Sequence, residues 1–338
     1  MSTLHRNAAD HDGHHFTVSA DDGVPIAVHE YGAREAGITA VFVHGHCLRT
    51  ESWALLRTHL VRYWGQDMHM VFYDHRGHGD SGAADPATYT IDQLAQDLDT
   101  VLRTVAPTGP VLLVGHSMGA MTVLAYARLF PETIGSRVIG VGLLAGAASS
   151  VTRVGLGRLL NGPAVTSLQV AVRRAPRAMQ ASKHLSRRIF EPIMREATLG
   201  TRRVSPRMLA IATAMLNETS LLTMASFLDS LIRFDETTSL HRLSAIPALV
   251  LAGSADIVIP FAHSVVLASQ LDDVELVRLD GAGHSVIMER AEEVAESIAT
   301  LLERAVAGLR FRESELGARE SEHFGTDPEC GPEYAIAG

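Results

Sequence analysis

Ser117 lies in Gly115-His116-Ser117-Met118-Gly119, between the apolar run 111–114 (VLLV) and a helical run from Ala120 to Phe130. In a strand–turn–helix context, a glycine-x-serine-x-glycine pentapeptide holds its serine on a strained turn with the hydroxyl exposed. The flanking glycines let strand and helix approach closely. The N–H of Met118 then opens a helix and faces the site, where it suits a developing oxyanion. The pentapeptide alone is a weak signal. Its strand before and helix after distinguish it from a serine that merely caps a helix.

A serine hydroxyl attacks poorly until a base takes its proton. The chain has 17 histidines, and position selects among them. His284, in Gly281-Ala282-Gly283-His284-Ser285, follows the strand-like run 274–279 (VELVRL) and precedes the last helical pattern. Asp256, in Gly253-Ser254-Ala255-Asp256, follows 247–252 (PALVLA), and Pro260 then opens a helix. A carboxylate there can orient the histidine and stabilise its cation. His44-Gly45-His46-Cys47 follows 39–43 (TAVFV), and the N–H of His46 is the expected second oxyanion donor. Ser117, His46, Asp256 and His284 each come at the carboxyl end of a predicted strand. In an open parallel sheet those ends share one edge, where ligands bind.

Other polar residues invite different readings. Asp229 is an alternative acid, but it sits within the helical pattern from Ser220 to Phe234. His44, His46, His75 and His78 are spaced like metal ligands, yet no Cys-x-x-Cys or His-Glu-x-x-His accompanies them, so neither a metal nor a cofactor is expected. His44 and Asp74 are expected to tie loops together by hydrogen bonds, and His116 to pack or bond locally. Cys47 reads as a small apolar filler.

The elements that must position these groups follow from periodicity. The runs 39–43, 70–73, 111–114, 138–145 and 247–252 are apolar on both faces, as central parallel strands are. Between them, Ile91, Leu94, Leu98, Val101, Leu102 and Val105 mark one helix face. Val294, Ile298, Leu301, Leu302, Ala305, Val306 and Leu309 mark another. Strands near 14–20 and 25–31, split by Asp21-Asp22-Gly23, predict an antiparallel edge hairpin. Strands alternating with helices predict an α/β fold with a mostly parallel sheet.

This rhythm stops between 147 and 240, where only helical patterns remain. Ser205-Pro206 opens one through Met215, and a second runs from Ser220 to Phe234. The expected organisation is a polar tail over 1–14, a core over 15–146 and 241–310, a helical insertion over 147–240, and an acidic, disordered tail over 311–338. Of 338 residues, 46% are hydrophobic, enough for a sizeable core. The net charge of −9 argues against nucleic acid as a partner. Within 151–210, however, twelve Arg/Lys face only Glu191 and Glu196. That is either a solvated arginine-rich surface or a weak attraction for anionic substrates or a membrane surface. The two cysteines, Cys47 and Cys330, cannot form a disulfide scaffold. With no apolar run of membrane-spanning length and no secretory signal at the start, a cytoplasmic location is expected.

These motifs together resemble the capped α/β-hydrolase-fold proteins. The resemblance rests on His44-Gly45-His46, on Asp74-His75-Arg76-Gly77-His78-Gly79-Asp80-Ser81-Gly82, on Gly115 to Gly119, on Gly253 to Asp256 with Pro260, and on Gly283-His284. It runs from about 15 to 310 and is weak through the insertion. The elbow GHSMGA is similar to monoacylglycerol lipase and carboxylesterase relatives, and the chain order Ser, Asp, His is the order of that fold. The resemblance implies an eight-stranded sheet under a helical cap, with Ser117 as nucleophile, Asp256 as acid and His284 as base. The expected activity is hydrolysis of an ester or related acyl bond of an apolar small molecule. The same triad also serves thioester cleavage, acyl transfer, lactone opening, carbon–carbon hydrolysis and cofactor-free perhydrolysis. A hydrolase-fold receptor with little turnover is the alternative of another class.

Overall fold

The computed structural model describes residues 13–149, 151, 163–175, 177–178 and 206–324. Eight strands form one sheet: β1 (His14–Ser19), β2 (Pro25–Tyr31), β3 (Thr39–Val43), β4 (His69–Tyr73), β5 (Val111–His116), β6 (Val138–Leu144), β7 (Ala248–Gly253) and β8 (Val274–Leu279), in the order β1-β2-β4-β3-β5-β6-β7-β8. The edge hairpin β1–β2 is antiparallel, as is β2 against β4. Every other pairing is parallel. Val43 pairs with Tyr73 on one side and Gly115 on the other, and His116 pairs with Leu144. The carboxyl ends of β3, β4, β5 and β6 therefore finish level, along one edge.

Strand residues alternate between two apolar layers. On one face Val41, Val43, Val71, Leu113, Val141 and Val250 pack with α2 (Ile91–Val105) and α3 (Met118–Leu129). On the other, Phe42, Phe72, Leu112, Val114, Leu249 and Leu251 pack with α1 (Ala54–Trp64) and the C-terminal helix. Each fully buried Leu, Ile, Val or Phe side chain contributes roughly 1.5–3 kcal/mol, so this double layer is the rigid base of the molecule. Thr90 starts α2 by accepting the N–H of Gln93 at 3.1 Å.

Between β6 and β7 the described residues form three helices, α4 (Pro163–Arg174), α5 (Pro206–Glu218) and α6 (Leu221–Arg233), and then a 3₁₀ stretch, Thr237–Ala245. Ser220 caps α6 by accepting the N–H of Thr223 at 3.0 Å. The root of this insertion is joined to the core where Ser149 bridges Asp235 and the Glu236 N–H donates to the Ala148 carbonyl at 2.8 Å. Most of the arginine-rich stretch lies outside the described residues, as does the polar start at 1–12. After α7 (Ala262–Ala268) and the short α8 (Val286–Glu289), the chain ends in one long helix, α9 (Ala291–Phe324).

That last helix corrects the expected tail. Residues 311–324 are helical, not disordered. Acidic composition signals that a segment lacks a core to bury, but a helix already anchored through Val294, Ala295, Ile298, Leu301 and Ala305 needs no new core to continue. The Arg, Glu, Ala and Leu content of 311–324 favours continuation, and Arg312 Nη1 ties it to the Ala245 carbonyl at 3.1 Å. Residues 325–338 lie outside the described part.

Arg76, wholly buried, anchors the loop after β4. Its Nε and Nη2 donate to the two Asp97 carboxylate oxygens at 2.7 and 2.6 Å, and Nη1 reaches Asp22 at 2.7 Å. Removing Asp97 leaves the buried guanidinium with only Asp22 and Thr88 opposite it, a cost of up to about 3–5 kcal/mol. Asp97→Ala is therefore expected to lower the free energy of unfolding by about that amount, read from urea titration at neutral pH. A loss below about 1 kcal/mol would remove this pair from the anchors of the fold.

Candidate active site

Ser117 separates β5 from α3 at φ 54° and ψ −116°. A non-glycine residue held at positive φ stores on the order of 1–3 kcal/mol of strain, which the surrounding packing must sustain. Here the packing is visible. A Cβ on Gly119 would collide with the Val43 carbonyl oxygen, and one on Gly115 with the Gly119 carbonyl oxygen. Neither position has room for a side chain, which is the physical content of the two flanking glycines. The Ser117 N–H donates to the Leu144 carbonyl at 2.8 Å, and its own carbonyl accepts from Ala120 and Met121 as α3 begins.

The turn directs the hydroxyl to His284. Ser117 Oγ is 2.9 Å from His284 Nε2, and His284 Nδ1 is 2.8 Å from Asp256 Oδ2. The other oxygen, Asp256 Oδ1, accepts the N–H groups of Val258 and Ile259 at 2.8 and 2.9 Å. A carboxylate so engaged only accepts, so the imidazole proton sits on Nδ1 and Nε2 is free to receive the serine proton. The loops carrying acid and base are joined to each other: Ala255 N–H donates to the Ala282 carbonyl at 2.9 Å, and Gly281 N–H to Ser254 Oγ at 2.8 Å. Three groups remote in sequence are thus one hydrogen-bonded line. Asp229 stands elsewhere, on α6, where it accepts from Gln169 Nε2 at 3.0 Å.

The loop 44–47 lies against the turn. A Cβ on Gly45 would stand 3.1 Å from Ser117 Cβ. Among the described residues, no acceptor within the fold engages the backbone N–H of His46 or of Met118. Met118 begins α3, so its N–H belongs to the positive end of that helix dipole.

Histidines assemble the rest. His44 Nδ1–H donates to the Gly45 carbonyl at 2.8 Å, and its Nε2 accepts the His75 N–H at 2.9 Å. His75 Nε2–H returns to the His44 carbonyl at 2.9 Å. His78 Nδ1–H donates to the Arg76 carbonyl at 3.2 Å, while its Nε2 accepts the Cys47 N–H at 3.1 Å. Asp74 accepts the N–H groups of Thr50 and Asp80 at 2.8 and 2.9 Å. His44 and Asp74 therefore do tie the loops, but each through backbone groups, standing 4.0 Å from one another. His116 differs from its expectation of local bonding. Its Nε2–H donates to the His284 carbonyl at 2.9 Å, across 168 positions of sequence. No sequence signal marked that contact, nor the bond between His78 and Cys47, because both join separate strand ends.

Burial controls the charge of this cluster. It pushes His75 and His116 down to about 3 and His46 to about 4, and holds His44 and His78 well below the ordinary imidazole value. All five are therefore neutral at pH 7, as the accepting Nε2 atoms of His44 and His78 require. Asp74 moves the other way, raised by burial to about 6.

The profile of the alpha/beta hydrolase family matches residues 40–297. The chain belongs to that family and is a hydrolase. It is 26% identical to the proline iminopeptidase PfmaB of Pestalotiopsis fici over 255 residues, 71% of this chain and 83% of that protein. It is also 26% identical to a monoacylglycerol lipase of Mycolicibacterium smegmatis over 252 residues, 70% of this chain and 78% of that one. A thermophilic esterase from Thermogutta terrifontis superposes with a TM-score of 0.68 at 22% identity, covering 86% of this chain and 99% of that one. At that identity the likeness is one of fold.

The buried histidines generate a pH prediction. Each has a folded pKa below its unfolded value of about 6.5, so on acidification the unfolded chain takes up protons that the folded chain refuses, and stability falls with pH. Asp74, raised from 3.8, opposes them with one proton between about pH 4 and 6. Unfolding is therefore expected to take up protons between pH 7 and 5, so the free energy of unfolding falls as the pH is lowered. The measurement is urea stability at half-unit steps from pH 7 to 5. A flat profile would contradict the buried neutral cluster.

Proposed function

We propose that the protein is a serine hydrolase that cleaves an ester or related acyl bond of an apolar small molecule. The carrying observation is the unbroken line Ser117 Oγ–His284 Nε2, His284 Nδ1–Asp256 Oδ2, at 2.9 and 2.8 Å. His284 takes the hydroxyl proton as Ser117 attacks the carbonyl carbon, and Asp256 holds the tautomer and stabilises the imidazolium. The carbonyl oxygen, now an oxyanion, meets the N–H groups of His46 and Met118, each donor being worth about 10²–10³ in rate. Collapse of the tetrahedral adduct expels the alcohol, which leaves with the proton from His284, and Ser117 carries the acyl group. Water, deprotonated by His284, then releases the acid and restores the hydroxyl.

Several features support an apolar acyl substrate. The helix that comes down over the site, α6, presents Phe227, fully buried against His46 and His78. The similarity to a monoacylglycerol lipase points the same way. No helix among the described residues is long and apolar enough to cross a membrane. The arginine-rich part of the insertion is proposed as a weakly attractive surface for anionic substrates or lipid headgroups, at a cytoplasmic location.

Ser117→Ala is expected to abolish turnover of a short p-nitrophenyl ester and labelling by a fluorophosphonate probe, while leaving the unfolding midpoint unchanged or raised as strain at φ 54° persists without its function. Near-full turnover in that variant would defeat the proposal.

A further inference from the structure

We infer that the imidazoles of His78 and His46 are positioning residues that clamp the oxyanion peptide from below and above, and so couple it to the helical insertion. The inference rests on the serine-hydrolase reading and names parts that reading does not use.

Cys47, the residue after the proposed donor His46, has φ 61°. That is the left-handed region, disfavoured for a residue with a Cβ, so something must hold it there. The peptide N–H of Cys47 donates to His78 Nε2 at 3.1 Å, and the Leu48 N–H closes the turn onto the Gly45 carbonyl at 3.2 Å. His78 is itself fixed, because its Nδ1–H is spent on the Arg76 carbonyl, and Arg76 is locked to Asp97. An accepting Nε2 is thus presented from a rigid mount. That bond keeps Cys47 at positive φ, which brings the Leu48 N–H onto the Gly45 carbonyl, and that carbonyl lies in the same peptide plane as the His46 N–H.

The upper jaw is the His46 ring. It packs on Phe227 of α6 with ring centres 5.8 Å apart. Phe227 also meets His78 at 5.7 Å and Tyr89 at 5.0 Å. The rings of His46 and His78 meet edge to face, with centres 5.6 Å apart. One aromatic side chain of the insertion therefore touches both jaws. A displacement of α6 moves the His46 ring, and the donor N–H is on the same residue. Substrate that seats α6 correctly completes the oxyanion site, and an empty or misfilled pocket loosens it. A misplacement of about 1 Å costs on the order of 10²-fold in rate.

The test compares His78→Phe, His78→Gln and His46→Ala with wild type and Ser117→Ala. The readouts are kcat and KM on p-nitrophenyl butyrate, inhibition by butylboronic acid as a tetrahedral mimic, and inhibition by butyrate as a ground-state ligand. His78→Phe keeps the ring and loses the acceptor. It should lower kcat and boronate affinity together by about 10- to 100-fold, with KM and butyrate affinity within about threefold. His78→Gln, whose amide oxygen can reach the same N–H, should recover most of the loss. His46→Ala removes the packing against Phe227. It should lower kcat about tenfold with the same pattern. Should His78→Phe fail to fold, His46→Ala, altered at a half-buried ring, decides alone. Folded variants with wild-type kcat, or losses confined to KM, overturn the clamp. Equal turnover by wild type and Ser117→Ala would instead overturn the serine reading.

Discussion

Everything at this site depends on a serine kept at positive φ between a strand and a helix. Such a turn is costly for a residue with a Cβ, and only close packing on every side can sustain it. The packing comes from the sheet. β3 brings the Val43 carbonyl against Gly119, β5 delivers Ser117, and β6 supplies the Leu144 carbonyl that holds its N–H. A turn that relaxed toward ordinary helix geometry would withdraw the hydroxyl from His284. The double apolar layer is therefore more than a source of stability. It converts burial energy into a fixed direction for one oxygen atom.

The second constraint is the neutrality of the surrounding histidines. His44, His75, His78 and His116 make backbone hydrogen bonds that join loops from different strands, and His44 and His78 do so through unprotonated nitrogens. A protonated ring could not accept those N–H groups. Burial keeps the rings neutral, and the same bonds keep the loops closed enough to bury them. Backbone amides and hydroxyls could have joined the loops too. Imidazoles do it with a ring large enough to pack against Phe227 and Trp53 as well.

Much of the site was legible because its residues sit next to strong signals. Strands buried on both faces read as unbroken apolar runs, and Ser117, His46 and Asp256 each follow such a run closely in sequence, while His284 follows the half-exposed edge strand β8. Their convergence needed only the rule that parallel strands end on one edge. The partners of His116 and His78 were not legible. His116 meets the His284 carbonyl because β8 lies three strands beyond β5, and His78 meets Cys47 because β4 lies beside β3. Strand order is a tertiary fact that no local pattern carries. The helical stretch 311–324 was misread for the opposite reason: local composition suggested a free tail, whereas an element anchored upstream extends on propensity alone.

The helical insertion gives these contacts direction. Its helix α6 touches the core over the loops 44–47 and 74–80 through Phe227 and Thr223, whose methyl would meet a Cβ placed on Gly77. Those loops carry one proposed oxyanion donor, while the hydrogen-bonded Ser117, His284 and Asp256 and the other proposed donor, Met118, stand on the β5–α3 turn and after β7 and β8. The proposed nucleophile is thus mounted on the rigid layer, and half of the proposed oxyanion site on the loop that packs against the insertion. In the proposed reaction, attack by Ser117 needs only the first. Stabilising the adduct needs both, so selectivity among acyl groups can act on the step where charge develops and not only on binding.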